Sequence, residues 1–184
     1  MAQKVKLSTI ADALKVSTAT VSLALRDSPL VAETTREKIK EQATLLGYIY
    51  NRRAASLRTS RSGIVGVVVH DIMNPFYAEI LRSIETELDK SRQTFVLSNH
   101  YDSVEKQRNF LETLMQLGAD GVIMSPAIGT PASDIKLAED NRLPAVLIAR
   151  SIENAAVPVF RGDDSFGIGL ATNHLIELGH TRIA

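Results

Sequence analysis

Between residues 8 and 25 the chain sets the hydroxyls of Ser17, Thr18, Thr20 and Ser22 and the small Ala19 among apolar residues at helical spacing. Hydroxyls can meet phosphate oxygens or base edges, whereas Ala19 and Leu23 can only touch a thymine methyl or shut other bases out. Ser17 stands where a helix needs a side-chain acceptor for its unpaired first N–H groups. Ile10, Ala11 and Leu14 form an apolar stripe on a preceding helix, Val21, Leu23 and Leu25 lie along the second, and Val16 fills the corner. Small residues at Ala11 and Ala13 let the two helices cross closely. This is the helix-turn-helix pattern, whose second helix enters the major groove with its N-terminal side chains on base edges. Two packed helices of an ordinary bundle would share the stripe, so the pattern alone leaves that alternative open.

A second group is basic. Arg52, Arg53, Arg58 and Arg61 fall within residues 52–61, with Leu57 isolated among them. The overall balance of 21 basic and 21 acidic residues hides a division, because residues 1–62 carry a net charge of +6 and the remainder −6. A basic head on an acidic body suits a polyanion, although a solvated charged face is the plainer reading of such a cluster.

A third group is scattered. Asp71, Phe76, Tyr77, Ser125 and Arg150 fall at or just beyond the carboxyl ends of predicted strands, where open α/β sheets gather ligands. Phe76 or Tyr77 can stack on a sugar or base, and Ser125 and Arg150 can hold its polar groups. Core packing is an equal reading for the two aromatics, and helix capping for Asp71. His100, His174 and His180 show neither a paired carboxylate nor metal-ligand spacing and read as structural, so no metal site and no cofactor is expected.

These residues need a scaffold, and the chain supplies two kinds. Residues 1–48 are helical, with a third helix near 33–46 that turns Ile39, Ala43 and Leu46 inward and stops at Gly47. Residues 49–62 are polar and basic and form a linker with a short helical option. From 63 onward, strands at 64–70, 94–98, 121–125, 144–149 and 157–160 alternate with helices near 76–90, 103–117, 132–141 and 164–178. Residues 182–184 begin what should be another strand. Such alternation predicts a doubly wound parallel sheet with right-handed crossovers. The fold class is therefore an all-α helix-turn-helix head followed by an α/β body.

Several functions fall away. With no cysteine there is neither a disulfide framework nor cysteine-based metal or nucleophile chemistry. No apolar run approaches a membrane span and the N-terminus lacks a signal-peptide core, so a cytoplasmic protein without membrane contact is expected. An enzyme on a doubly wound sheet would be signalled by a GxGxxG after a strand, a GxxxxGK[ST] loop or a Ser/His/Asp elbow, and none is present. A sugar-binding module without a regulatory role sits poorly with the basic head.

The order of parts, together with specific motifs, resembles the LacI/GalR family of bacterial transcription regulators. The motifs are Val16-Ser17 with Thr20-Val21-Ser22, the Thr35-Arg36-Glu37-Lys38 run, Gly47-Tyr48 followed by Asn51-Arg52, and Asp71 with Pro75-Phe76-Tyr77-Ala78-Glu79. Asp163, Gly167 and the segment from His174 to Ala184 complete the match, which covers the whole chain. The resemblance implies a repressor of a sugar-utilisation operon that binds a palindromic, double-stranded operator as a homodimer. Thr18, Ala19 and Leu23 would then take the base-reading positions, while Ser17, Thr20 and Ser22 read as caps and phosphate contacts. Leu23, where the family often has Arg, has a second reading as a core residue. In the linker, Asn51, Arg52, Ala54 and Leu57 match a segment that becomes helical on operator DNA, with Leu57 wedging into the minor groove. Lys15 stands where many relatives have Gly in a left-handed turn, Ala32 replaces a Ser or Thr cap, and Ala149 replaces an Asp. The resemblance also implies three segments: a DNA-binding domain at 1–48, a hinge at 49–62, and at 63–184 the first lobe of an effector-binding and dimerisation domain. Family effector sites close from two lobes, so tight sugar binding by these 184 residues alone is not expected.

Overall fold

Three helices form where the apolar stripes put them: α1 (Leu7–Leu14), α2 (Thr18–Ala24) and α3 (Glu33–Leu45). They lie in the first of two compact units, Met1–Ala54, the second being Ala55–Ala184. The computed structural model describes residues 5–49 and 61–183. Ile10, Ala11, Val21, Ala24, Val31, Ile39 and Ala43 are buried together, with Leu7, Leu14, Val16, Leu23 and Leu25 packed around them. So small a core leaves much to the helix ends. α2 begins at Ser17, whose Oγ accepts the Thr20 N–H at 3.0 Å and lies 2.8 Å from the Thr20 hydroxyl. Between α1 and α2, Lys15 takes φ 54° and ψ 43°, a left-handed turn that costs a residue with a Cβ about 1–2 kcal/mol. α3 starts at Ala32 without a side-chain cap. It ends on Gly47 at φ +65°, where the Tyr48 N–H donates to the Ala43 carbonyl at 2.8 Å and the Gly47 N–H to that of Thr44 at 3.0 Å. This paired closure stops the helix and satisfies two of its last carbonyls. Arg36 donates to the carbonyls of Asp27 and Ser28, and Lys40 pairs with Asp27, tying α3 to the turn after α2.

In the second unit strand and helix alternate: β1 (Ile64–Val69), α4 (Pro75–Lys90), β2 (Thr94–Asn99), α5 (Val104–Leu117), β3 (Gly121–Met124), α6 (Ala132–Asp140), β4 (Ala145–Ile148), β5 (Val159–Phe160) and α7 (Asp164–Glu177). The strands are all parallel, in the order β2-β1-β3-β4-β5. β1 is almost continuously valine because both faces of the sheet are covered. Val67 and Val69 pack with Tyr77 and Leu81 of α4, and Val68 with Leu111 and Leu114 of α5. Gly66 is required here, since a Cβ at that position would lie 2.1 Å from the Leu114 Cδ1. Asp120 stitches the entry to β1, its carboxylate accepting the Ser62 N–H at 2.7 Å and the Gly63 N–H at 2.9 Å. α7 differs from the other helices in burying none of its residues, Phe166, Ile168 and Leu170 included. Residues 182–183, expected to open another strand, carry none, and Ala184 lies outside the described residues. Their backbone has no ladder partner in the sheet.

Candidate nucleic-acid interface and ligand rim

Helix α2 presents its first turn outward. Ser17, Thr18 and Ala19 are exposed, and Thr20 is half-buried. The inward face is set by Val21 and Ala24, both fully buried. Ser22, next to Val21, is drawn in with them and is only 6% exposed, so its expected phosphate contact gives way to packing. Leu23 is half-buried against the three-helix core, as its second reading had it. Lys15 and Arg26 are exposed on either side of α2, with the Arg26 Nε donating to the Ser22 carbonyl at 3.0 Å. Asn51, Arg52, Ala54 and Leu57, together with Arg53 and Arg58, lie outside the described residues.

In the second unit the strand order reverses between β1 and β3, and an open parallel sheet leaves a crevice beyond the carboxyl ends of those strands. The five residues expected there take different positions. The Tyr77 hydroxyl lies 2.9 Å from the Ser125 Oγ, and both residues are buried, so each satisfies the other beneath the surface. The Asp71 Oδ1 accepts the Met73 N–H at 2.9 Å within the turn before α4, whereas the helix itself is capped by Asn74, whose Oδ1 accepts the Phe76 N–H at 3.0 Å. Phe76 is 54% exposed and meets the Tyr77 ring edge-on at 5.1 Å. Arg150 is committed, its Nη1 donating to the Asp102 Oδ1 at 2.6 Å and to the Pro126 carbonyl at 3.2 Å. Of the five, Phe76 offers the most open surface.

The fold brings Asp102 close to His100, although its carboxylate pairs with His70 and Arg150 and only its backbone N–H bonds the His100 ring. Tyr101 and Asp102 both take left-handed backbone, φ 49° and 59°, which turns the chain sharply just past β2. Asp102 thereby comes beside His100 and reaches His70, with its Oδ2 3.2 Å from the His70 Nδ1. His100 is fully buried. Its Nε2 donates to the Ser125 carbonyl at 2.7 Å and its Nδ1 accepts the Asp102 N–H at 2.9 Å, which fixes a neutral tautomer. Burial holds its pKa below the ordinary 6.5, against the raising effects of the Ser125 carbonyl and the Asp102 charge. For Asp102 burial pushes the pKa up, but the hydrogen bonds from Arg150 and the Ile128 N–H prevail and hold it below the usual value. The His-x-Asp spacing at 100–102 was visible in the sequence, but His70 and Arg150 lie too far along the chain for any local pattern to include them.

The loop after β3 is held rigid by a buried amide. Gln107 accepts the Ala127 N–H at 2.7 Å and donates to the Thr130 hydroxyl at 2.9 Å. Beside this loop an open recess of about 510 Å³ is lined by Ile128, Thr130, Arg150, Glu153 and Arg161, among others.

Residues 6–51 match the family described as bacterial regulatory proteins, lacI family, and residues 62–184 match periplasmic binding proteins and sugar binding domain of LacI family. Over 184 residues the chain is 33% identical to the maltose regulon regulatory protein MalI of Escherichia coli strain K12, covering 100% of this chain and 54% of that protein. It is 34% identical over 175 residues to the ribose operon repressor of Halalkalibacterium halodurans, covering 95% of this chain and 51% of that protein. Among solved structures, the lac repressor dimer bound to operator and the anti-inducer ONPF aligns with a TM-score of 0.78 at 26% identity, covering 99% of this chain and 55% of that one. The chain thus spans about half the length of the curated relatives it matches.

Proposed function

The chain belongs to the LacI family of bacterial regulatory proteins, and on that premise we propose that it is a sequence-specific DNA-binding regulator repressing a sugar-utilisation operon. The observation that carries this reading is α2, whose inner face is locked into a three-helix core while Ser17, Thr18 and Ala19 stand open on its first turn. Side chains at that end of a recognition helix are the ones that reach base edges in the major groove. Thr18 offers a hydroxyl to a base edge and Ala19 a methyl to thymine, so specificity leans on shape and on positions outside α2. Residues 1–48 would serve as the DNA-reading domain, 49–62 as the hinge with Leu57 as a minor-groove wedge, and 63–184 as a lobe for effector binding and pairing of subunits. One short helix reads too few base pairs for a genome, which calls for a dimer on a near-palindrome. In the second unit Phe76 supplies an exposed ring on which a sugar face can stack, with Arg150 just beyond the carboxyl end of β4. The family's role is regulatory, and no helix among the described residues is long and apolar enough to cross a membrane.

Selection of bound duplexes from a random library, followed by binding measured across a salt series, tests the proposal. The expected result is a two-fold-related consensus. If each head neutralises about six phosphates, log K falls against log salt with a slope near −5. Salt-independent affinity, or equal binding by a chain beginning at Gly63, would overturn it.

A further inference from the structure

His70, His100 and Asp102 each offer one ligand atom, and the three atoms lie within 4.8 Å of one another. We propose that they form a site for a divalent transition-metal ion of the zinc class, at the carboxyl ends of β1 and β2. The site lies wholly in the second unit and does not rest on the regulatory reading.

Three details favour an ion over an ordinary polar cluster. The His70 Nδ1 is buried and has no hydrogen-bond partner among the described residues, although the Asp102 Oδ2 stands 3.2 Å away. A polar atom shut from water without a hydrogen bond is costly, and a cation between it and the carboxylate would satisfy both. Second, the His100 Nε2–H is held by the Ser125 carbonyl, which leaves the Nδ1 lone pair on the side of Asp102. Metal-ligating histidines are commonly oriented in this way by a backbone carbonyl on the other ring nitrogen. Third, Asp102 has its own supports: Oδ1 takes the Arg150 guanidinium at 2.6 Å and the Ile128 N–H at 3.2 Å, while Oδ2 is the oxygen near His70.

The spacing is compatible with the coordination chemistry. Around a tetrahedral zinc with bonds of about 2.0–2.1 Å, ligand atoms stand about 3.3 Å apart. The His70 and Asp102 atoms already have that separation at 3.2 Å. The His100 Nδ1 joins them by exchanging the Asp102 N–H for the ion, which costs one hydrogen bond. Arg150 shares the carboxylate with the ion through Oδ1, so the two cations compete for Asp102. Two imidazoles and one carboxylate select zinc, nickel or copper over magnesium. Three protein ligands leave a fourth position open.

The test titrates zinc chloride into the untagged 184-residue chain by calorimetry and follows cobalt(II) chloride by its visible absorption. One ion per chain is expected, with the absorption intensity of a tetrahedral site and no heat from magnesium chloride. His70→Gln and Asp102→Asn should each weaken binding at least about tenfold. Both residues are part-exposed at the rim, so their replacement spares the core, and amide exchange of β1 and β2 verifies that each variant is folded. The remaining two histidines, His174 and His180, are exposed, and the His174→Gln/His180→Gln double variant should bind zinc as the parent does. Unaltered zinc binding in a folded His70→Gln variant overturns the proposal. So does loss of binding in the double variant, or no binding by the parent up to about 1 mM, an affinity of roughly 4 kcal/mol.

Discussion

Replacing Lys15 by glycine should make the three-helix unit more stable while making its DNA binding less salt-dependent. Lys15 sits at φ 54° and ψ 43° between α1 and α2, and its side chain is exposed. The bonds of the turn are made by backbone, the Lys15 N–H with the Asp12 carbonyl and the Val16 N–H with that of Ala11, so they survive the substitution. A residue with a Cβ pays about 1–2 kcal/mol in this conformation. Glycine avoids that strain but loses about 0.5–1 kcal/mol more chain entropy on folding. The difference leaves Lys15→Gly more stable by about 0.5–1 kcal/mol. Amides of α1 and α2 that exchange through opening of this unit should then exchange roughly two- to fivefold more slowly. Lys15→Ala removes the same charge but keeps the Cβ, so it should show no such gain. Both variants lose one cation beside Ser17, and if Lys15 neutralises a phosphate the salt slope of operator binding falls by about 0.9 in each. Hydrogen exchange followed by mass spectrometry separates the two effects. Equal protection in the Gly and Ala variants would refute the backbone argument, whatever happened to the DNA binding.

Other substitutions test other links. Ser17→Ala removes the acceptor of the Thr20 N–H and should cost the first unit about 1 kcal/mol, measured by the same exchange. Leu57→Ala should weaken operator binding and reduce the bend seen in a gel-based bending assay, with half-site preference retained; an unchanged angle and affinity would remove the wedge role. Gly66→Ala places a methyl 2.1 Å from the Leu114 Cδ1 and should lower the stability of the second unit by about 1–3 kcal/mol in urea unfolding, with Leu114→Val restoring part of it. Asp120→Ala leaves the Ser62 and Gly63 N–H groups without their carboxylate and should cost about 1.5–3 kcal/mol in the same assay.

The sequence by itself determined the elements and their class. A stripe at helical spacing specified α1 to α3, Ser17 announced the start of α2, and the β-branched run at 64–70 declared a strand covered on both faces. The alternation that follows leads to a parallel, doubly wound sheet. All of these signals are local, because helix and strand each repeat over a few residues and write that repeat directly into the side-chain pattern. Tertiary structure alone decided which side chains remain free to act. Ser22 was read with Ser17 and Thr20 as a cap or phosphate contact, but packing beside Val21 and Ala24 buries it, and Leu23 goes half into the core. Tyr77 and Ser125 both looked available to a ligand, yet their hydroxyls meet each other across 48 residues of chain. His70, His100, Asp102 and Arg150 come together only because β1, β2 and β4 end at the same edge of a sheet ordered β2-β1-β3-β4-β5. That order follows from how each crossover packs on the sheet, a free-energy balance over distant surfaces that no short stretch of residues encodes.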